Sequence, residues 1–396
     1  MTLVEHHNTT KDRVLFFDTT LRDGEQTKGV AFDANDKVDI ALQLQTMRVP
    51  IIKAGFPASG PWAINAVARV AERVRQPIIA ILARATIGDI DTAWEAVKNA
   101  ESSRIHVFLS TSDIHLMHQL RKNREEVMEM AVNGVRYARR FCPDVEFSPM
   151  DATRSEPAYL YALLEQVILA GATTINIPDT VGIARTRQFG NLIQDIIANV
   201  PSIHKAILSV HCHDDKGLAV ANSLEGILAG ARQVEVCVNG LGERAGNAAL
   251  EEVAMDLFSD SDSDYYGVYT GLDTTKIISL STLVAEHSGI TPQPNKSIVG
   301  ANAFVHKSGI HQDAVIKNSE TFEIWKRSQV GLSDSDGIVF GTGASANAVL
   351  RRLRELGYDP TREEARKASL WIADQALETK REITDDDIRS FMKGGE

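Results

Sequence analysis

The sequence predicts an α/β fold: a closed (β/α)8 barrel over residues 1–265, then small, mostly helical C-terminal subdomains at 266–340 and 341–396. Three observations lead there. A short β-branched or aromatic run, a turn and an amphipathic helical stretch recur in that order from Val14 to about Phe258. The unit comes eight times at roughly thirty-residue spacing, the length of one strand–helix step of a parallel sheet. After Phe258 the repeat stops and the texture turns to an acidic loop and helices. An open doubly wound sheet is the alternative, but no GxGxxG follows the first strand, which weakens its dinucleotide-binding form.

Taken in order, strands are expected at Val14–Phe17, Pro50–Ala54, Ile78–Leu82, Ile105–Leu109, Val145–Phe147, Thr174–Asn176, Ile207–Val210 and Val234–Val238. Each is a brief apolar run, as strands covered on both faces are. Between them, Ala34–Met47, Pro61–Val74, Arg124–Phe141, Glu156–Ala170, Leu218–Ala229 and Ala248–Leu257 carry apolar residues at helical spacing. Beyond the barrel come a polar loop at Ser259–Asp264, a helix at Thr275–Ser288, the Pro- and Asn-containing Thr291–Asn295, and Ser297–Gly309 with its sequel. Helices at Ala346–Leu356, Thr361–Thr379 and Asp385–Met392 close the chain.

Composition narrows the function. With 396 residues, 43% of them hydrophobic and 24% charged, the chain can bury a large core. A net charge of −11 argues against a general nucleic-acid or anionic-membrane binder. Three scattered cysteines, Cys142, Cys212 and Cys237, suit neither a disulfide framework nor a CxxC zinc site, so a reducing cytoplasm is expected. Met1–Lys11 is polar and has no signal-peptide core. No apolar run approaches the roughly 18–20 residues that span a bilayer.

In such a barrel, functional residues collect at the C-terminal ends of the strands. His211 and His213, two apart at the end of the seventh strand, point to one face and form half of a metal site. The first strand delivers Asp18-Thr-Thr-Leu-Arg22-Asp23-Gly-Glu-Gln26, the sixth Asn176-Ile-Pro-Asp179-Thr180, and the eighth Asn239-Gly-Leu-Gly-Glu243-Arg244-Ala-Gly-Asn247. An aspartate and two histidines from separate strands suit an open octahedral site for a divalent ion, and the absence of cysteine suits catalysis better than structural zinc.

These stretches, with Ala54-Gly-Phe-Pro57, Ile175–Val181 and Ser308-Gly-Ile-His311-Gln-Asp313, resemble the signature set of the 2-isopropylmalate synthase and homocitrate synthase family, in order from about Val14 to Gly331. The resemblance implies a metal-dependent TIM-type barrel with small subdomains and a homodimer in which the partner's post-barrel segment helps complete the site. The implied reaction is a Claisen condensation of acetyl-CoA with a 2-oxo acid, followed by thioester hydrolysis. Asp23, His211 and His213 would then hold Mn2+, Mg2+ or Zn2+, with Asn247 a fourth ligand, direct or through water. Arg22 would contact the ketone oxygen, and a salt bridge to a rim acid is its alternative. Thr180 would take the keto-acid carboxylate, or cap a helix, or both. His311 would remove the acetyl proton, with His306 the competing base. Glu243 is a further catalytic candidate organising the rim, or else an ion pair with Arg244. Ser148, His106, Asn176 and Arg84 join Lys53 and Met150 as substrate-binding candidates.

Departures from the family pattern bear on the acceptor. Lys53 stands where Glu usually precedes Ala-Gly-Phe-Pro, Met150 where Glu usually follows Ser-Pro, and His213 runs on into Asp214-Asp215-Lys216-Gly217. A leucine-sensing C-terminal domain is not expected within these residues. The loss of two carboxylates and gain of a cation favour an acceptor with an anionic side chain, such as phosphonopyruvate, which gives 2-phosphonomethylmalate. The alternatives are a compensated swap, with Lys53 paired to Asp214 or another rim acid in a 2-isopropylmalate synthase that uses 2-oxoisovalerate, or an apolar Met150 wall for a benzyl group. A carbon–carbon lyase of the same superfamily is disfavoured, because Gly240–Gly246 contains no cysteine. A non-catalytic barrel is disfavoured by the intact Arg22, Asp23, His211, His213 and His311.

Overall fold

The computed structural model describes residues 12–259, 265–333 and 337–394. The expected acidic loop therefore lies, after Ser259, outside the described residues, as does the polar start Met1–Lys11.

Eight parallel strands close into a barrel in sequence order: β1 (Leu15–Asp18), β2 (Ile51–Gly55), β3 (Ile78–Arg84), β4 (Ser103–Ser110), β5 (Val145–Met150), β6 (Thr174–Asp179), β7 (Ile207–Cys212) and β8 (Gln233–Val236). Closure comes where Leu15–Asp18 pairs in register with Gln233–Val236. The expected closed barrel is what forms, and the open sheet is not. Several strands run further at their C-terminal ends than the apolar runs suggested: β5 continues through Ser148-Pro149-Met150, β6 through Ile177-Pro178-Asp179, and β7 through His211-Cys212. Those extensions are polar or Pro-containing. Backbone pairing on one side, β5 to β4 and β6 to β7, carries them on past the point where hydrophobicity ends.

Helices α1 (Ala34–Thr46), α2 (Pro61–Arg73), α3 (Ile87–Val97), α4 (Arg124–Ala138), α5 (Pro157–Ala170), α6 (Thr186–Asn199), α7 (Ala219–Leu228) and α8 (Leu250–Ser259) cover the barrel. Their starts are chemically specified. Asp33 and Asn123 close capping boxes with Asp36 and Glu126, and Pro61 and Pro157 occupy first-turn positions. A two-stranded parallel sheet of Asp12–Arg13 with Val268–Tyr269, unannounced by any long apolar run, lies outside the barrel.

The chain divides into two compact units, Met1–Thr291 and Pro292–Glu396. The first holds the barrel and α9 (Ile277–Ser288). The second holds α10 (Gly309–Lys317), α11 (Ala346–Glu355), α12 (Arg362–Thr379) and α13 (Asp385–Gly394), with Val349, Leu353, Ala365, Ile372 and Ile388 in its own core. No helix among the described residues is long and apolar enough to cross a membrane.

Candidate active site

The mouth of the barrel is assembled by turns that fix side chains in place. After β1 the Thr19 carbonyl accepts from the amides of Arg22, Asp23 and Gly24 at 3.0, 2.8 and 3.2 Å, so the chain winds tightly and presents Arg22 and Asp23 at the rim. After β6 the Asp179 carboxylate accepts from the Ile183 and Ala184 amides and the Thr153 hydroxyl, which fixes Thr180. α6 begins only at Thr186, so Thr180 is not a helix cap. Instead its hydroxyl accepts from the Asp151 amide at 2.9 Å, leaving its own proton to donate. After β8 the loop folds back until Asn247 bridges His213, and the Asn247 amide donates to the Gly240 carbonyl at 3.1 Å. Gly246 makes this possible. Its φ is +96°, and a Cβ there would lie 2.0 Å from the Gly240 oxygen.

Asp23, His211 and Glu235 each bring a ligand-capable atom within 4.8 Å of the others. His213 packs against His211, with ring centroids 4.9 Å apart. Nδ1 of His213 and Oδ1 of Asn247 are buried without a hydrogen-bond partner. Such atoms are costly unless something fills the gap, and a cation would. His211 donates Nδ1–H to Glu235 at 2.8 Å, which leaves Nε2 as its ligand atom, the usual carboxylate–histidine–metal order. The protonation states agree. Burial and the neighbouring His211 bring His213 down to about 3, so its imidazole is neutral. Burial alone would raise Asp23, but Arg22 and Lys53 hold it well below the usual carboxylate range. These donors fit a divalent ion.

Glu235 was not among the residues singled out from the sequence. The signal was there: Gln233 and Glu235 alternate with valines in a strand whose neighbours cover both edges, so both must point into the barrel. The interior is in fact polar. Arg104 donates to Glu146 at 2.9 Å and to Gln233 at 2.7 Å, and Gln233 donates to Glu146 and Ser209, each at 2.9 Å. Lys53 belongs to this layer. Its ammonium lies 2.6 Å from Glu235 and 3.3 Å from Asp23, and 4.9 Å from the Phe17 ring centroid. Burial would lower Lys53, but Asp23 and Glu235 outweigh it and it stays charged. Its partner is Glu235 instead of Asp214, whose carboxylate accepts from the Ala219 amide.

Above this layer opens a cavity of about 260 Å³. Its polar lining includes Arg22, Asp23, Lys53, His106, Ser148, Asn176, Thr180, His211, His213 and Glu243, and its apolar lining is Leu82, Phe108, Met150 and Pro178. Asn176 donates to the Ser148 hydroxyl at 2.8 Å, and that hydroxyl is hydrogen-bonded to His106 Nε2 at 2.7 Å. Arg22 is bonded to Asp23, the rim-acid contact expected as its alternative. Arg244 pairs with Asp215 at 2.8 Å and not with Glu243, the ion pair given as the alternative to a rim-organising role. Arg84 is a correction: it lies outside this lining, largely exposed, with its guanidinium on Asp89 at 2.6 Å. In the C-terminal unit, His306 is buried and bonded to Glu323 at 2.9 Å, whereas His311 on α10 is exposed and stacks on Phe322 with centroids 3.9 Å apart.

Residues 13–284 match the HMGL-like family, and residues 298–380 match the homocitrate synthase post-HMGL domain-like family. The 2-isopropylmalate synthase of Syntrophus aciditrophicus is 50% identical over 96% of this chain and 73% of its own length. That of Thermosynechococcus vestitus is 50% identical over 97% and 74%. The chloroplastic 2-isopropylmalate synthase 2 of Arabidopsis thaliana is 50% identical over 96% and 62%. Among solved structures, hydroxymethylglutaryl-CoA lyase from Pseudomonas aeruginosa shares the fold at a TM-score of 0.60, with 20% identity over 70% of this chain and 93% of that one.

Proposed function

The chain belongs to the 2-isopropylmalate synthase and homocitrate synthase family, and from that premise we propose that it condenses acetyl-CoA with 2-oxoisovalerate to give 2-isopropylmalate and CoA. The observation that carries the acceptor is the state of Lys53. Its charge is held by Glu235 at 2.6 Å, so it is not an unanswered cation awaiting an anionic side chain. The remaining wall, Leu82, Phe108, Met150 and Pro178, suits a branched apolar group. This reading replaces the phosphonopyruvate expectation, and the names of the relatives support it.

Asp23, His211, His213 and Asn247 would hold a divalent ion, whose chemistry in such a site is Lewis-acid polarisation of a ketone oxygen. The protein's own groups do the rest. The Thr180 hydroxyl, its proton unspent on Asp151, donates to the keto-acid carboxylate. Arg22 hydrogen-bonds the ketone oxygen and stabilises the negative charge that develops there. His311 takes the proton from the acetyl methyl group; His306, committed to Glu323, is the poorer candidate. The methyl carbon then attacks the ketone carbon, and water cleaves the thioester. Glu243 at the cavity rim is placed to order that water.

The test is thiol release from acetyl-CoA with a panel of 2-oxo acids, using metal-stripped protein reloaded with Mn2+ or Mg2+. We expect 2-oxoisovalerate to give the highest kcat/KM, and chelation to abolish release. Faster turnover of phosphonopyruvate would sink the acceptor assignment and return Lys53 to the substrate. Thiol release unaffected by chelation would sink the metal-centre reading.

A further inference from the structure

We propose that Lys53 is a positioning residue of the metal centre: its ammonium captures Glu235 and so keeps that carboxylate from ligating the ion. Lys53's role presupposes the metal centre proposed above. Asp23, His211 and Glu235 already offer three ligand atoms within 4.8 Å of one another, two of them carboxylate, which is a donor set in its own right. Unopposed, both carboxylates would draw a divalent ion toward the barrel axis. Lys53 enters from β2 on the same side. Its Nζ sits 2.6 Å from Oε2 of Glu235 and 3.3 Å from Oδ2 of Asp23. The same Glu235 oxygen, Oε2, takes Nδ1–H of His211 at 2.8 Å, so it is shared between an ammonium and an imidazole, while Oε1 lies 3.7 Å from His106 Nδ1 with no hydrogen bond of its own. The ammonium cannot swing away. The Lys53 side chain is 3% exposed, and the Phe17 ring lies 4.9 Å from Nζ.

Three consequences follow. Asp23, with one oxygen on Arg22 and the other facing Lys53, is steered toward single-oxygen ligation. Glu235 becomes the group that orients His211 instead of a ligand. A fixed positive charge beside the site weakens cation binding and leaves the bound ion with fewer anionic donors. The barrel therefore trades metal affinity for a more electron-demanding ion.

The experiment is Mn2+ titration of the metal-stripped chain, barrel and C-terminal unit together, read by electron paramagnetic resonance of free Mn2+. Lys53→Met should bind Mn2+ at least tenfold more tightly than wild type. Glu235→Gln, which leaves Asp23 as the ammonium's remaining carboxylate partner, should bind at least tenfold more weakly, and the Lys53→Met/Glu235→Gln pair should return to within about threefold of wild type. Visible absorption of the Co2+-loaded proteins should change in Lys53→Met and match wild type in the double variant. Should Lys53→Met fail to fold, the double variant against Glu235→Gln alone reads the same removal of the ammonium. A folded Lys53→Met with unchanged or weaker Mn2+ affinity overturns the proposal, as does a double variant no tighter than Glu235→Gln. Wild-type protein that binds no Mn2+ overturns the metal-centre reading itself.

Discussion

At the scale of single residues, the groups proposed to do the chemistry announce themselves by type and spacing, and the groups that tune them do not. His211, His213, Asp23 and Arg22 were legible because polar residues at strand ends have few bland explanations. For Arg22 the expectation is sharp. Arg22→Lys keeps a cation beside Asp23 but loses the planar fork, so kcat should fall by about 10²–10³. Mn2+ affinity should stay within about threefold, and a kcat within fivefold of wild type would remove Arg22 from the reaction. Asp18 illustrates the hidden kind. It lies buried at the end of β1, accepting from the Thr20 amide and hydroxyl, and burial raises its carboxyl to about 7. The folded protein thus holds this proton more tightly than the unfolded chain, whose aspartates titrate near 4. Between those two values the native state binds more protons, and the Asp18 contribution to stability falls as pH rises. Asp23 and Glu235, held low, have the opposite sign, but their contributions are lost only at pH below the unfolded values. Glu146, raised by burial, and His213, lowered by burial, also act between pH 5 and pH 7.5, so Asp18 is read as the difference between variant and wild type in urea unfolding: Asp18→Asn should lose less stability over that interval than wild type, by at least about 1 kcal/mol. Identical losses would refute the burial argument.

At the scale of elements, strand cores could be read but their ends could not. Val145–Phe147 is visibly a strand; Ser148-Pro149-Met150 is one only because the Leu109 and Ser110 positions of β4 lie beside it. The substrate-facing half of the barrel is made of such extensions, so hydrophobic pattern stops short where function begins. The loop after β8 shows the converse. Its glycines are plain in the sequence, yet only the structure reveals that Gly246 must come within contact of the Gly240 carbonyl. Gly246→Ala should displace Asn247 from His213, lower Mn2+ affinity at least tenfold, and destabilise the fold by about 1–3 kcal/mol. Retention of wild-type Mn2+ binding would mean that Asn247 is held by other contacts.

At the scale of the whole molecule, the eightfold recurrence of strand and helix carried the architecture. A parallel sheet of eight strands joined by seven crossovers has few ways to close, so the count alone nearly decides it. What the count could not convey is that the barrel centre is ionic. Arg104, Glu146, Lys53 and Glu235 sit inside, and such networks repay their desolvation only when every member is paired. The C-terminal unit has a separate core, which predicts separable behaviour. Leu353→Ala should cost that unit about 2–5 kcal/mol, seen as an earlier calorimetric transition, while Mn2+ affinity of the barrel is unchanged. Loss of Mn2+ binding in that variant would show that the two units share their stability.

Barrel closure also sets a schedule for the growing chain. The hydroxyl of Thr19 meets the sulfur of Cys237, 218 residues further along, and β1 pairs with β8 at the same seam. At ordinary translation rates, roughly 5–20 residues per second, β1 leaves the ribosome some ten to forty seconds before its second neighbour is made. Through that interval one edge of the nascent sheet stays open, with Phe16, Phe17 and their neighbours available to any passing strand. Slowing synthesis between β1 and β8 should therefore raise the fraction of the protein recovered as aggregate, and an unchanged fraction would mean that the open edge is protected.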